Sequence, residues 1–311
     1  MTAAPLHRAA VQTTPKRWQL LLILLCLGLG WGMTQPLGKI AASTGHKPFG
    51  LIFWQLSVCT LVLGALTLLR GKRLSLQPEA LKFYVVVAIL GTLVPNCTFY
   101  ISVARLPSGI MSILISMVPL LAFPIALALG MDRFSARRFL GIACGLVGVA
   151  LIAQPGAAGG QALPLGWIAL AMVGPFFYAI EGNVVARWGT AGLEPMEAMF
   201  LASLIGAPLA LALTMVSGQW VWPSQPFGRP EWALIGSSAL HALLYTGYVA
   251  LAARAGAVFA TQTSYIVTAS GVFWAMALLG ERFNSGVWAA LIVMFAGLFL
   301  VTPRARTAVS A

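Results

Sequence analysis

Charge is what this chain of 311 residues has least of. Asp, Glu, Lys and Arg together make up 8% of it, against 59% hydrophobic residues. A soluble domain carries roughly 25% charged residues. A water-soluble fold could not hide this much apolar surface, so the lipid bilayer has to act as solvent. Histidine is scarce too. His7, His46 and His241 fall in a tail, a loop and an apolar run, and cannot share a metal ion. The zinc helix HExxH, the nucleophile elbow GxSxG, the phosphate-binding loop and the dinucleotide fingerprint are all missing. No cofactor is expected, and without an ATP site any uphill work must draw on an ion gradient or on exchange. Cys26, Cys59, Cys97 and Cys144 lie inside apolar runs without metal-ligand or redox spacing, and read as small packing residues. The seven acidic residues are scattered, and the 19 basic ones leave a net charge of +12. Nucleic acid is nevertheless rejected as a partner, because the basic residues sit between apolar runs, where they orient membrane helices.

What is present is a succession of ten apolar segments, near 18–37, 50–69, 80–103, 107–129, 137–153, 163–187, 195–217, 231–252, 256–279 and 285–302. A membrane helix needs about 20 such residues. The fifth is short and relies on Arg137 and Arg138 reaching to the interface. Arg8, Lys16 and Arg17 precede the first run, as in a secretory signal, but the run continues to Leu37 without a small-x-small cleavage site. It reads as a retained first helix, with a signal anchor as the alternative. Pro107 and Pro195 stand where a first helical turn tolerates proline. Gln154–Gln161 is rich in Gly and Pro, and Trp220 and Trp222 in the stretch 217–230 read as interfacial anchors.

The chain also repeats itself. Ala104-Arg105, an apolar run and Asp132-Arg133-Phe134 recur as Ala253-Arg254, an apolar run and Glu281-Arg282-Phe283, at a constant offset of 149. Trp18 and Trp167, and Gly148 and Gly297, keep the same offset. The expected division is a tail at 1–17, a repeat at 18–153, a linker at 154–163, a repeat at 164–302 and a tail at 303–311. Five helices per half send the second half into the membrane upside down. The fold class is therefore an all-α membrane protein, ten transmembrane helices forming two inverted five-helix repeats. With the N-terminus inside, fourteen of the 19 Lys and Arg residues fall on the cytoplasmic side. Only Lys39, Lys47, Arg105, Arg229 and Arg282 fall on the other, which argues for both termini in the cytoplasm.

Two stretches carry a family resemblance. Tyr100 to Ile152 looks like the second part of an EamA-type domain of the drug/metabolite transporter superfamily, and Tyr248 to Val301 repeats it. Gly280-Glu281-Arg282 matches that family's common Gly-Glu-Arg turn between its last two helices, where the first half has Met131-Asp132-Arg133 instead. Trp31-Gly32 followed by Lys39 resembles the start of the same domain. The resemblance spans nearly the whole chain as two tandem domains. It implies a transporter: similar proteins export amino acids, metabolites or toxic compounds, and others move nucleotide sugars or phosphorylated sugars.

Polar residues inside apolar runs mark the candidate site. Glu181, with Tyr178 on the sixth segment, is the sharpest. It reads as a proton carrier or as a counter-ion for a cationic group, unless it merely pairs with Arg187. Asn96 and Tyr100 share a stripe with Thr92 on the third segment, and His241 and Tyr245 share one with Tyr248 on the eighth. Asn96 and Tyr245 are separated by the repeat offset, as a midplane site between repeats would require. Thr261, Ser264, Tyr265 and Thr268 form a face of the ninth segment, echoed by Ser112 and Ser116 on the fourth, where interhelical hydrogen bonds compete with the cavity as an explanation. Trp31 and Gln35, with Gln55, read as lining the outer part of the same cavity. The expected substrate-binding set is thus Trp31, Gln35, Asn96, Tyr100, Tyr178, Glu181, His241, Tyr245, Thr261 and Tyr265. The glycine stripes at 28, 30 and 32 and at 141, 145 and 148 are expected to pack helices, and Pro119 and Pro124 to kink the fourth.

The resulting expectation is a secondary transporter in the inner or plasma membrane, an exporter of small metabolites, amino acids or toxic compounds, working by alternating access around a cavity between the repeats. Its partners would be the lipid bilayer and a small-molecule substrate, with the oligomeric state left open. A non-transporting receptor or scaffold would instead have a filled core, and a membrane-embedded enzyme a polar cluster at one face.

Overall fold

The computed structural model describes residues 17–45, 47–71, 74, 77–154, 163–188, 194–255, 257–260 and 262–301. Every regular element among them is helical. The first half comprises α1 (Arg17–Ala42), α2 (Pro48–Leu69), α3 (Pro78–Val103), α4 (Ser108–Ala128) and α5 (Ala136–Ile152). The second comprises α6 (Leu165–Trp188), α7 (Pro195–Val216), α8 (Arg229–Ala255), α9 (Thr263–Leu279) and α10 (Ser285–Val301), with a single turn, Ala257–Ala260, before α9.

Six of these helices, α1 to α4, α6 and α7, are long and apolar enough to cross a bilayer, and α9 and α10 are shorter apolar helices of 17 residues each. The short α5 opens on Arg137 and Arg138, and α8 carries Ser237, Ser238, His241, Tyr245 and Tyr248 along its length.

Helix starts follow proline chemistry. Pro48, Pro78 and Pro195 open α2, α3 and α7, where the missing N–H would have had no partner anyway. Proline inside a helix acts differently. Pro95 cannot donate to the carbonyl four residues back, and the turn just before it, Ile89–Leu93, is wound as a π-helix. In α4 the helix is interrupted at Ser116, between Ser108–Ile115 and Met117–Ala128. Pro119 removes the bond to Ile115, so the kink expected from sequence sits at a definite residue.

The helices of the two halves pack in reciprocal pairs. α1 lies against α8 and α9, and α6 against α3 and α4; α2 meets α8, and α7 meets α3; α2–α7, α4–α9 and α5–α10 also pack, and α4 touches α10. Advancing every helix by five reproduces these pairs apart from α4–α10, and that is the pattern a two-fold relation between halves creates. Small residues set the closest approaches. A methyl group on Gly297 would stand 2.7 Å from the Gly141 carbonyl, and one on Gly32 would stand 2.7 Å from the Gly271 amide. α5 and α10 therefore seal one flank, away from the centre, as their glycine stripes suggested.

Candidate functional site

Between the halves lies a cavity of about 370 Å³, walled by residues of α1, α2, α3, α4, α6, α7, α8 and α9. Of the ten residues expected from sequence, eight stand in its wall: Trp31, Gln35, Asn96, Tyr100, Tyr178, Glu181, His241 and Tyr245. Thr261 lies outside the described residues. Tyr265 is a correction. Its ring packs against Phe295 of α10, with centroids 5.8 Å apart, and it does not line the cavity. The face of α9 that does is Thr263, Ser264 and Val267. Thr268 and Ser112 turn their hydroxyls back to the carbonyls of Ser264 and Ser108, which is the helix-packing alternative. Thr92 is buried and also absent from the wall, because the π turn shifts the register between it and Asn96.

Hydrogen bonds tie the wall residues into pairs that cross between helices. The Tyr100 hydroxyl donates to Gln55 Oε1 at 2.8 Å, and the Tyr178 hydroxyl reaches Asn96 Oδ1 at 3.5 Å. The Trp31 indole N–H donates to His241 Nδ1 at 3.3 Å, while the Trp31 ring also meets Tyr248, centroids 5.5 Å apart. Trp31 and His241 are 210 residues apart in sequence, so this contact joins the two halves directly.

Glu181 is half-buried and fits against the π turn of α3. A methyl group on Gly91 would come within 2.7 Å of Glu181 Oε2. The alternative in which Glu181 pairs with Arg187 is not what the geometry shows. Arg187 donates to the Leu129 carbonyl at 3.0 Å, and six residues along a helix place the two side chains on different faces.

One end of the molecule is tied by Glu281, from the Gly-Glu-Arg turn. Ser108 N–H and its hydroxyl donate to Oε1 at 2.8 and 3.1 Å, and Gly109 N–H donates to Oε2 at 3.0 Å. Lys39 Nζ donates to the Val103 and Leu106 carbonyls at 3.0 and 2.5 Å, just before this helix start. The repeat-related acid, Asp132, does something else: it pairs with Arg138 and accepts from its neighbour Arg133 N–H at 2.7 Å. The reason is a one-residue slip. The left-handed glycine ending α9, Gly280, directly precedes Glu281, whereas Gly130, ending α4, stands two residues before Asp132. The shift carries the carboxylate to another side of the turn.

Thr34, Phe99, Ser237 and Gly91 also line the cavity, and sequence reasoning did not select them. Pro95 four residues after Gly91 was a usable signal for the last; Phe99 gave none, because an apolar residue in an apolar helix carries no mark of the face it uses.

The sequence pattern of the EamA-like transporter family matches residues 17–154 and again 165–302. The chain belongs to the EamA-like transporter family. It holds two tandem copies of the EamA unit, and the wall described above draws on both. Members of this family are integral membrane transporters. No curated protein sequence matches the chain. A solved structure, described only as a crystal structure of a protein, superposes with a TM-score of 0.62 at 16% identity, over 91% of this chain and 97% of its own. That likeness speaks for the fold alone.

Proposed function

We propose that this EamA protein is a secondary transporter, ten helices arranged as two inverted five-helix repeats, with both termini in the cytoplasm and the cell's inner or plasma membrane as its site. It moves a small organic solute outward by alternating access, one bundle rocking against the other around the central cavity. The observation that carries this reading is the cavity itself, walled by both halves and holding the carboxylate of Glu181 at its side. A scaffold has no use for such a space, and an enzyme would need groups that act on a bond. The reciprocal helix pairing supports the repeat relation, and the placement of Lys and Arg supports the orientation. The outward direction follows from the exporters that the EamA-type sequence resembles. Glu181 serves as the proton-coupling residue in this scheme, since a carboxylate inside a membrane protein is costly and commonly functional.

Metabolite profiling of a deletion strain against an overexpressing strain tests the reading. Solutes that accumulate inside the first and outside the second identify an exported substrate. Indistinguishable profiles under growth conditions where the protein is present would count against export.

A further inference from the structure

Among the described residues walling the cavity, Glu181 is the one carboxylate and none is Lys or Arg. His241 does not supply a positive charge. Its Nδ1 accepts the Trp31 indole N–H, so that nitrogen carries no proton and the ring is neutral. The rings of Trp31, Phe99, Tyr100, Tyr178, Tyr245 and Tyr248 also line the wall, beside aliphatic and neutral polar side chains. Aromatic faces are electron-rich and attract cations. A desolvated anion without a cationic partner is costly, and a carboxylate or phosphate entering this cavity finds no such partner. A zwitterionic amino acid would satisfy its ammonium and leave its carboxylate to the neutral amides and hydroxyls of the wall, such as Gln35 and Thr34, without a cationic partner. Nucleotide sugars and sugar phosphates would strand more charge still.

We propose that the cavity selects organic monocations: a protonated or quaternary amine on a flat apolar body, carrying no carboxylate or phosphate of its own, with Glu181 as its counter-ion. The claim rests on the transport reading only for the movement of the solute, not for its binding. The size agrees, since about 370 Å³ is near the lower end of the roughly 300–1,000 Å³ typical of small-molecule sites. Gly91 is the positioning residue. Its missing side chain leaves the space in which the Glu181 carboxylate stands, and a methyl group there would push the carboxylate away.

The test uses four probes with one phenyl ring and different charges: phenethylamine, phenylalanine, 3-phenylpropionate and phenethyl alcohol. Binding to the full chain in lipid nanodiscs is measured by titration calorimetry. The expected result is that phenethylamine binds at least tenfold more tightly than the other three, a difference of about 1.4 kcal/mol. Glu181→Gln should lower its affinity at least tenfold and erase the preference, and Glu181→Asp should keep the preference. Gly91→Ala, with every charge retained, should also weaken phenethylamine severalfold. Phenylalanine or phenylpropionate binding as tightly as the amine, binding of none of the four, or an unchanged affinity in Glu181→Gln would each overturn the proposal. The wild-type comparison decides the matter even if a variant does not fold.

Counterflow in proteoliposomes separates the two readings. Phenethyltrimethylammonium, which does not cross lipid unaided, should exchange. Binding without counterflow would overturn transport and leave the cation site standing. Counterflow of phenylalanine alone would overturn cation selection and leave transport standing.

Discussion

The carboxylate of Glu281 closes the start of α4 by accepting the backbone N–H of Ser108 at 2.8 Å, across 173 residues of sequence. The first N–H groups of a helix have no partner within it and carry the positive end of its dipole. A carboxylate from α9's turn supplies both acceptor and charge. The Gly-Glu-Arg turn thereby becomes a joint between the two halves at one end of the molecule, while the corresponding Asp132 pairs within its own half.

Glu281→Gln should therefore destabilise the protein by about 1–2 kcal/mol, the scale of a lost helix cap. The amide retains one acceptor oxygen and loses the charge. Asp132→Asn, which breaks a partly exposed ion pair, should cost under about 1 kcal/mol. Thermal unfolding in detergent compares the two, and an equal shift in both variants would contradict the joint.

Glu181→Gln should abolish proton-driven uptake in proteoliposomes, and Glu181→Asp should retain part of it. Arg187→Ala should transport nearly normally, because Arg187 bonds the Leu129 carbonyl rather than Glu181. Measuring counterflow separately distinguishes coupling from binding. Proton-driven uptake at wild-type rate in Glu181→Gln would remove this residue from the mechanism.

Cysteine substitutions at Asn96, His241 and Tyr245, in a background lacking the four native cysteines, should react with a hydrophilic thiol reagent and be protected by substrate. Tyr265→Cys serves as the contrast, since its ring lies against Phe295 outside the cavity wall. It should label slowly and gain no protection. Substrate protection at 265 would show that α9 presents a different face.

Gly297→Ala should lower stability by about 1–3 kcal/mol, the cost of overpacking. Its methyl group would meet the Gly141 carbonyl, backbone that cannot swing aside. Gly166→Ala, with open space around the added methyl, should leave stability unchanged or raise it slightly through helix propensity. A fluorescence-based melting curve reads both.

Topology is open to reporter fusions at Ala158 and Ala311. The five-plus-five arrangement places them on opposite sides of the membrane, so active reporters on the same side would refute it.

Much of this was already decided by local chemistry. Long apolar runs must become helices, because a backbone in lipid has to satisfy its own hydrogen bonds. Proline positions marked where helices begin and where α4 breaks. Glu181 stood out because a carboxylate inside an apolar run has few inexpensive places to go. The offset of 149 singled out Asn96 and Tyr245, and both stand in the cavity wall. What the chain could not show by itself was which face of each helix turns inward. A helix surrounded by lipid on one side and protein on the other is apolar on both, so periodicity finds a stripe without saying where it points. Tyr265 and Thr263 differ by two positions on α9 and part company for that reason. The meeting of Trp31 with His241, the fit of Glu181 against Gly91, and the capping of Ser108 by Glu281 all join residues far apart in sequence. Only packing the two halves together brings such pairs within reach, and a single-residue slip at Gly130 was enough to make Asp132 behave unlike its repeat partner.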